Sequence, residues 1–333
     1  MKNIVIELAK TEGISDIHLS SNKPIALRID GLVHKREDQV AKNDDIRKFL
    51  EEVLDKEILA TLKAEKNADF SISLENFRLR GNAYFSQDGI NVVLRILQEN
   101  AMKFDEINFP PVVRELLEKK NGLILVTGQT GSGKSTSLAA MIDYLNTNHQ
   151  KKIITIEDPI EYLHAENNSI ISQREIGSHA TTFSSALKAA LREDPDIILV
   201  GELRDLETIQ LALTAAETGH LVLATLHTSG APNTINRIID VFPSGQQAQV
   251  RAQLALSLNA AITQRLLLRT DGNGRVPAFE IMISNPAIQN LIREDKVFQI
   301  PTIMQTGAAD GMVLMDKSIE LLRSDGVINY DAT

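Results

Sequence analysis

The chain has 333 residues, of which 43% are hydrophobic and 24% charged, so it has the composition of a folded protein and the length of about two domains. It has no cysteine, which excludes disulfides and thiolate-bound zinc, and a net charge of −9 with few aromatic residues argues against nucleic acid as the main partner. No stretch approaches about 18 uncharged apolar residues, and no signal-peptide cleavage site follows the N-terminus. We therefore predict no transmembrane segment and a cytoplasmic location.

Residues 1–100 alternate short strand-like runs with one helix-like segment. The strand patterns are DIHLS and IALRID, and later DFSISL, FRLRGNAYFSQ and INVVLRIL. Between them, DDIRKFLEEVLDKEILATLKAE has apolar residues spaced by three and four, which predicts one long helix. We predict a small α+β domain over 1–100, built on an antiparallel sheet and lacking a phosphate-binding loop of its own.

Three arginines, Arg78, Arg80 and Arg95, fall on the predicted strands of this first domain. Arg80 and Arg95 lie on adjacent strands of one sheet. Two interpretations stay open at this point. The arginines form surface ion pairs, or they form a cationic clamp on a nucleotide, as an arginine finger does.

Two prolines and little periodicity in residues 101–111 predict a linker, which leaves 112–333 as a second domain. From Gly122 onward, the runs GLILVTG, KIITIED, DIILVGE and HLVLATLH are apolar throughout and are separated by helix-like segments. Strands that are apolar on both faces indicate a parallel sheet covered by crossover helices, and so an α/β fold. Beyond about residue 245 the pattern predicts mostly helix.

The stretch GQTGSGKST fits the pattern G-x-x-x-x-G-K-[ST] between a predicted strand and a predicted helix. The glycines allow backbone N–H groups to surround phosphate oxygens. Lys134 would reach the β- and γ-phosphates, and the Ser135 hydroxyl would coordinate Mg²⁺. The predicted nucleotide-binding residues of this loop are Gly128, Gln129, Thr130, Gly131, Ser132, Gly133, Lys134, Ser135 and Thr136.

Carboxylates follow two of the predicted parallel strands. Glu202 ends DIILVGE, where it could polarise an attacking water or hold Mg²⁺ through water. Glu157, Asp158 and Glu161 crowd the end of ITIEDPIEY. Such a cluster is either a solvated acidic loop or a metal or water site, and the carboxyl edge of a parallel sheet, where ligands bind, favours the second interpretation.

Two histidines flank the last of these strands, His220 before it and His227 after it. A lone histidine is commonly a structural residue, and for His220 this explanation is as good as a functional one. His227 lies at the carboxyl end of its strand. That position suits contact with the γ-phosphate or the attacking water.

With these motifs in order, the chain resembles the secretion ATPase superfamily, and within it the type IV pilus retraction ATPases of the PilT type. The similar blocks are SDIHLS, TGQTGSGKSTSLAAMIDYLN, ITIEDPIEY, ALREDPDIILVGELRDLETIQLALTAAETGHLVLATLHT and RIIDVFP. They resemble the family's Walker A, Asp box, Walker B and His box, and the likeness extends to about residue 325. It implies a RecA-like P-loop ATPase core with a smaller PAS-like N-terminal domain.

The segment AIQNLIRED, residues 287–295, resembles the C-terminal signature of the retraction subfamily, with Gln289 in place of the usual arginine. Assembly and type II secretion ATPases usually carry a four-cysteine zinc insertion, which a chain without cysteine lacks. The resemblance therefore implies an ATP hydrolase that powers pilus retraction and twitching motility. An assembly or type II secretion ATPase is the alternative, and a nucleic-acid translocase is a third candidate from another class.

The resemblance also implies roles for single residues. Glu202 would activate water, Glu161 would assist it, and His227 would sense the γ-phosphate. Residues implied to reach ATP outside the loop are Arg80, Arg95 and Arg192. The Mg²⁺ site predicted from the motifs themselves, partly through water, consists of Ser135, Glu157 and Asp158. Lys188 stands where relatives usually have arginine. The resemblance leaves open whether Arg80 and Arg95 serve their own nucleotide or a neighbour's.

The partners are also implied by resemblance. The family forms homohexamers that work on the inner-membrane platform protein of the pilus, and an accessory retraction ATPase is a further candidate partner. This places the expected protein in the cytoplasm, peripheral to the inner face of the inner membrane, with no nucleic acid bound.

Overall fold

The computed structural model describes residues 1–29, 32–97, 102–272 and 274–329. The chain divides into two compact units, one of residues 1–100 with 161–163 and the other of 101–160 with 164–333. The predicted domain end at residue 100 and the first residue of the predicted linker lie outside the described residues.

The first unit is built on an antiparallel sheet of six strands in the order β3-β2-β1-β6-β5-β4, which confirms the sheet predicted from the sequence. Its elements are α1 (Lys2–Ala9), β1 (Ile14–Ser20), β2 (Lys23–Ile29), β3 (Leu32–Ala41), α2 (Asn43–Val53), α3 (Lys56–Glu65), β4 (Asn67–Leu74), β5 (Phe77–Ser86) and β6 (Gly89–Leu97). Alternate residues such as Ile17, Leu79 and Leu94 are buried in one core with Phe49 of α2. The other face of the sheet carries charged and polar side chains, as expected for an antiparallel sheet with one buried face.

The single helix predicted over DDIRKFLEEVLDKEILATLKAE is wrong, because the structure has two helices there. Leu54 is extended, with φ −103° and ψ 146°, and so ends α2. Asp55 then starts α3, its side chain accepting a hydrogen bond from the Ile58 N–H at 2.8 Å. Aspartate competes for backbone N–H groups and favours a helix start over a helix interior. Apolar spacing alone does not reveal such a break.

The second unit holds a seven-stranded sheet in the order β13-β12-β7-β11-β10-β8-β9, in which only β13 is antiparallel. Its strands are β7 (Gly122–Thr127), β8 (Lys152–Glu157), β9 (Ile170–Glu175), β10 (Ile197–Val200), β11 (Leu221–Leu226), β12 (Leu258–Leu268) and β13 (Arg275–Ile283). Its helices are α4 (Val112–Leu117), α5 (Lys134–Asn148), α6 (Phe183–Ala190), α7 (Leu206–Glu217), α8 (Ala231–Asp240), α9 (Ser244–Ser257), α10 (Pro286–Arg293), α11 (Ile300–Thr306) and α12 (Met315–Ser324). Short 3-10 helices cover Phe104–Glu106, Val297–Gln299 and Gly307–Asp310.

The central strands of this sheet are buried on both faces, as their continuous apolar sequences predict. Every residue of β7, β10 and β11 is buried, and helices cover both sides in two separate hydrophobic cores. The predicted parallel sheet with crossover helices is confirmed. Its carboxyl edge gathers the ends of β7, β8, β10 and β11, which is where ligands bind in such sheets.

The prediction that the chain is mostly helical beyond residue 245 is confirmed by α9 to α12, but it missed β12 and β13, two long strands of the sheet. α9 ends at Ser257 and β12 begins at the next residue, Leu258, and neither a glycine nor a proline marks the change. β12 is a strand because it pairs with β7 on one side and β13 on the other. Its neighbours decide its conformation, and local sequence does not identify them.

The described part of the predicted linker packs on the second unit. Phe104 and Ile107 are buried in one of its cores. The Phe104 ring lies 4.9 Å, centroid to centroid, from both Phe109 and Tyr144. Over the described ranges, no helix combines the length and apolar character needed to cross a membrane.

Candidate active site

The loop between β7 and α5 has the backbone that its glycines permit. Gly128, Gly131 and Gly133 have φ angles of 145°, 79° and 88°, which side chains rarely tolerate. A Cβ on Gly128 would also collide with the carbonyl oxygen of Gln264. α5 begins without a side-chain cap. Its first N–H groups therefore remain available to an anion at the positive end of the helix.

Lys134 is held under this loop. It is only 8% exposed, and its Nζ donates hydrogen bonds to the carbonyl oxygens of Gly128 at 2.8 Å and Gln129 at 3.0 Å. The same Nζ lies 3.5 Å from Nδ1 of His227. The ammonium group is thus fixed beside the loop and next to the end of β11, where it can meet phosphate oxygens.

Strand β12 supports the loop from behind, a contribution that the sequence analysis missed. The hydroxyls of Thr263 and Thr127 are 2.8 Å apart, and Ser137 of α5 donates to Oε1 of Gln264 at 2.6 Å. Gln264 is 2% exposed. Its signal in the sequence is a polar pair inside an apolar run, which indicates a strand end facing a site once the strand itself is known.

A cavity of about 520 Å³ lies beside the loop within the second unit. Its lining residues are Gly128, Gln129, Thr130, Gly131, Ser132, Ser229, Gly230, Thr263, Gln264, Arg265, Leu266, Leu267, Glu280 and Met315. The Ser132 hydroxyl is buried and has no hydrogen-bond partner within the described ranges. An orphaned donor in a glycine cradle that also holds Lys134 fits the phosphates of a nucleotide.

These residues also fit a magnesium ion bound together with phosphates. Ser135, the second residue of α5, is exposed at the start of the helix. In the part of the chain that the structure describes, no three carboxylate or histidine side chains gather closely enough to hold a metal. Mg²⁺ usually takes one or two protein oxygens together with water and phosphate oxygens, so such a cluster is not required.

Glu202 follows β10 and sits among charged partners. Its Oε2 accepts a hydrogen bond from Nε of Arg204 at 2.6 Å, and its Oε1 lies 3.4 Å from Nε2 of His227. The Thr225 hydroxyl donates to the carbonyl oxygen of Gly201, which ties β11 to this turn. His227 therefore stands between Glu202 and Lys134. The structure brings together these three residues, which the sequence analysis singled out from separate motifs.

Arg204 was missed by the sequence analysis, although it follows Glu202 by only two residues. It spans two carboxylates, because its Nη1 lies 3.7 Å from Oδ2 of Asp158. The hydrogen bond to Glu202 raises the pKa of Arg204 above its ordinary value, while partial burial opposes the rise. The guanidinium thus keeps its charge and screens Glu202 from Asp158.

The carboxylates at the end of β8 and just after it accept hydrogen bonds or charge contacts from different partners. Glu157 accepts hydrogen bonds from the Thr155 hydroxyl at 2.6 Å and from Nε2 of Gln173 at 3.3 Å. Asp158 faces Arg204, and Glu161 is exposed. The repulsion between Glu157 and Asp158 is therefore relieved by local partners. Binding of hydrated Mg²⁺ by Glu157 and Asp158, and help from Glu161, stay predictions.

The predicted arginines lie on other parts of the chain. Arg80 and Arg95 face each other across β5 and β6 of the first unit, which confirms their predicted placement on adjacent strands. Arg192 is exposed just after α6 and, within the described ranges, its side chain makes no hydrogen bond or ion pair. Contact of these three side chains with a nucleotide stays a prediction.

A sequence model of the family described as type II/IV secretion system protein matches residues 1–307. The chain belongs to this family. A relative named type IV pilus retractation ATPase PilT, from Pseudomonas aeruginosa, is 44% identical over 98% of this chain and 95% of its own length. An uncharacterized protein named YggR, from Escherichia coli strain K12, is 49% identical over 95% of this chain and 96% of its own length.

Among solved structures, a crystal structure of the pilus retraction motor PilT with bound ADP superposes with a TM-score of 0.92 at 44% identity. The match covers 99% of this chain and 95% of that one. The predicted α/β class, with a RecA-like P-loop core and a smaller N-terminal sheet domain, is confirmed. The membership in the secretion family that the sequence motifs indicate is likewise confirmed.

Glu280 is a further residue of the site that the sequence analysis missed, because the segment of β13 was predicted to be helical. It lines the cavity beside the loop, and its Oε1 accepts a hydrogen bond from the Ala231 N–H at 2.9 Å. It thereby caps α8, whose N-cap Gly230 has no side chain to do so. Burial raises the pKa of Glu280, although the backbone donors Ala231 and Met315 oppose the rise.

Proposed function

We propose that this protein is a hexameric ATPase motor that converts ATP hydrolysis into domain movement and so powers type IV pilus retraction and twitching motility. One observation carries the proposal: beside a glycine phosphate loop, His227 lies 3.5 Å from Lys134 on one side of its ring and 3.4 Å from Glu202 on the other. The high identity to a protein named as a retraction ATPase, over nearly the whole chain, supports the specific task.

Side chains of the second unit provide most of the chemistry of hydrolysis. Residues 128–136 bind the phosphates of ATP, and Lys134 leaves the loop carbonyls to contact the β- and γ-phosphates. Ser135, Glu157 and Asp158 would hold Mg²⁺, partly through water. When bound, the ion would supply positive charge beside the phosphate oxygens.

Glu202 accepts the proton of the attacking water, with help from Glu161. Its Oε2 accepts a hydrogen bond from Arg204, and the remaining lone pairs of the carboxylate can accept one from the attacking water. His227 lies within reach of both Glu202 and Lys134 and contacts the γ-phosphate. When the γ-phosphate leaves, the negative charge that Lys134 and His227 contact is lost.

The proposed motor has a domain of residues 1–100, a linker of 101–111 and an ATPase domain of 112–333. Positive charge at the nucleotide, of the same chain or of a neighbour, comes from Arg80, Arg95 and Arg192. The negative charge of the nucleotide that faces these arginines decreases with each hydrolysis. The ring acts on the inner-membrane platform protein of the pilus, together with an accessory retraction ATPase. The protein accordingly works in the cytoplasm at the inner face of the inner membrane.

The alternative task within the family is pilus assembly or type II secretion. The absence of cysteine and the segment AIQNLIRED, which lies on and just after α10, favour retraction. Gene deletion separates the two, since loss of retraction leaves surplus static pili whereas loss of assembly leaves none. A nucleic-acid translocase would instead show an ATPase rate that rises strongly with added DNA at moderate salt.

The decisive experiment complements the deletion strain with wild-type protein or with Glu202→Gln, and measures turnover of the purified proteins. We expect Glu202→Gln to bind ATP with nearly normal affinity, to lose about 10²–10⁴-fold in turnover, and to leave pili extended. Glu207→Gln, an exposed glutamate in the first turn of α7, is the matched control. Wild-type turnover in Glu202→Gln would refute the assignment of the base.

A further inference from the structure

A row of four charged residues crosses the polar face of the sheet in the first unit. Arg28, Asp16, Arg95 and Arg80 lie directly opposite one another on the neighbouring strands β2, β1, β6 and β5. Residues that are opposite across strands point to the same face. The row therefore contains three guanidinium groups and one carboxylate, an excess of positive charge on one surface.

Asp16 is the buried member of this row. It is 3% exposed, and its Oδ1 accepts a hydrogen bond from Nε of Arg95 at 2.9 Å. Its Oδ2 accepts one from the Ser15 hydroxyl at 2.7 Å and lies 3.7 Å from Nε of Arg28. Burial pushes the pKa of Asp16 upward, but the hydrogen bonds from Ser15 and Arg95 and the charge of Arg95 bring it below the ordinary value. The carboxylate is thus ionised at neutral pH.

The pairing leaves the far end of Arg95 available. Its Nε is engaged by Asp16, whereas its two terminal nitrogens donate no hydrogen bond within the described ranges. The side chain is 64% exposed. Those terminal nitrogens form the planar fork that matches two oxygens of a phosphate.

Asp16 also offsets a repulsion within the row. Arg80 and Arg95 are like charges directly opposite across two strands, an arrangement that costs stability. His18, two residues along β1 on the same face, adds little charge, because burial lowers its pKa and the charges of Arg28 and Arg95 lower it further against the pull of Asp16. Asp16 is therefore the counter-charge that allows two arginines to stand side by side.

We propose that Asp16 is a positioning residue for ATP hydrolysis, which holds the Arg95 guanidinium by its Nε so that the terminal fork meets the triphosphate. This inference rests on the proposed function, since it needs a nucleotide, of the same chain or a neighbour, at the fork. Asp16 itself touches no substrate. Its effect on turnover passes through Arg95.

A double-mutant cycle on the full-length protein tests the proposal, with Mg·ATP turnover as the readout. We expect Arg95→Ala and Asp16→Asn each to lower turnover about 10-fold or more, and the double variant to be no worse than Arg95→Ala alone. The matched control is Asp69→Asn on the same face, whose carboxylate accepts from Asn82 at 2.9 Å. It should keep turnover within about twofold of wild type.

Arg95→Lys is the second variant, because it changes only an exposed side chain and so keeps the test valid if Asp16→Asn does not fold. Lysine retains the charge but has no Nε–H for Asp16 and no fork, so we expect the same loss as in Arg95→Ala.

Three outcomes overturn the proposal. Normal turnover in Asp16→Asn while Arg95→Ala is impaired would show that Arg95 needs no positioning. Effects that multiply in the double variant would assign Asp16 a merely structural role. Normal turnover in Arg95→Ala would show that neither Arg95 nor Asp16 contributes to hydrolysis. Glu202→Gln would still report separately on whether the protein is the proposed ATPase.

Discussion

The two sheets of this protein place their functional residues in different ways. The sheet of the first unit has one buried face, and its charged side chains spread over the other face, as in the row from Arg28 to Arg80. The sheet of the second unit is covered on both faces, so its polar residues collect at one edge, where strands end. Antiparallel pairing leaves a face for chemistry, and parallel pairing with crossover helices leaves only an edge.

The largest expected effect concerns the edge of the second sheet. Lys134→Ala removes the buried ammonium group beside the phosphate loop, and we expect ATP turnover to fall about 10²–10³-fold or below detection. A steady-state ATPase assay checks this. Lys120→Ala, an exposed lysine just before β7, is the control and should keep normal turnover. Substantial turnover in Lys134→Ala would mean that the chemistry does not lie at this edge.

The two faces of the first sheet should respond differently to truncation. Leu79 is fully buried and its neighbour Arg80 is exposed. We expect Leu79→Ala to lower the free energy of unfolding of the first unit by about 2–5 kcal/mol, and Arg80→Ala to change it by less than about 0.5 kcal/mol. Urea unfolding measures both. Equal losses would contradict the description of this sheet as buried on one face only.

In the second sheet, truncating either of two neighbouring residues should lower stability. Ile198 and Leu199 of β10 point to opposite faces, yet each is at most 5% exposed. Ile198→Ala and Leu199→Ala should each cost about 2–5 kcal/mol in the free energy of unfolding of the second unit. If urea unfolding shows nearly wild-type stability for either variant, one face of this sheet is not covered.

A half-buried histidine should make the stability of the second unit pH-dependent. Burial lowers the pKa of His164 to about 4 from an ordinary value of 6.5. Between these values the unfolded chain binds a proton that the folded chain does not, so the free energy of unfolding falls as the pH drops from 6.5 toward 4. We expect His164 to account for about 1–2 kcal/mol of the fall between pH 7 and pH 5.

Thermal unfolding of His164→Gln across this range measures that contribution, since the variant should lose less stability on acidification than the wild type. His34→Gln, at an exposed position on β3 of the first sheet, is the control. Identical pH profiles for His164→Gln and the wild type would contradict the lowered pKa of this side chain.

The smallest expected effect tests the break between α2 and α3. Asp55→Ala removes the side-chain cap from the Ile58 N–H and should cost about 1 kcal/mol of stability in the first unit. Glu51→Ala, at an exposed position inside α2, should be nearly neutral. A continuous helix would show no such difference, so urea unfolding of the two variants distinguishes one helix from two.

The sequence by itself determined the phosphate loop, the parallel core strands and the side chains at their ends. These follow from local patterns: glycines before Lys134, continuous apolar runs, and a polar residue where each run stops. Glu202 and His227 could be chosen because the carboxyl ends of parallel strands meet at one edge. Their separation of 3.4 Å, and the place of Arg204 beside them, required the folded chain.

Only the tertiary structure decided what depends on pairing between distant segments. β12 and β13 are strands because β7 is available to pair with, and Gln264 and Glu280 reach the site only through that pairing. Asp16 and Arg95 are 79 residues apart, and strand register alone brings them into contact. Local sequence encodes propensity and turn chemistry, whereas a strand's partner and a buried charge's counter-charge are properties of the whole fold.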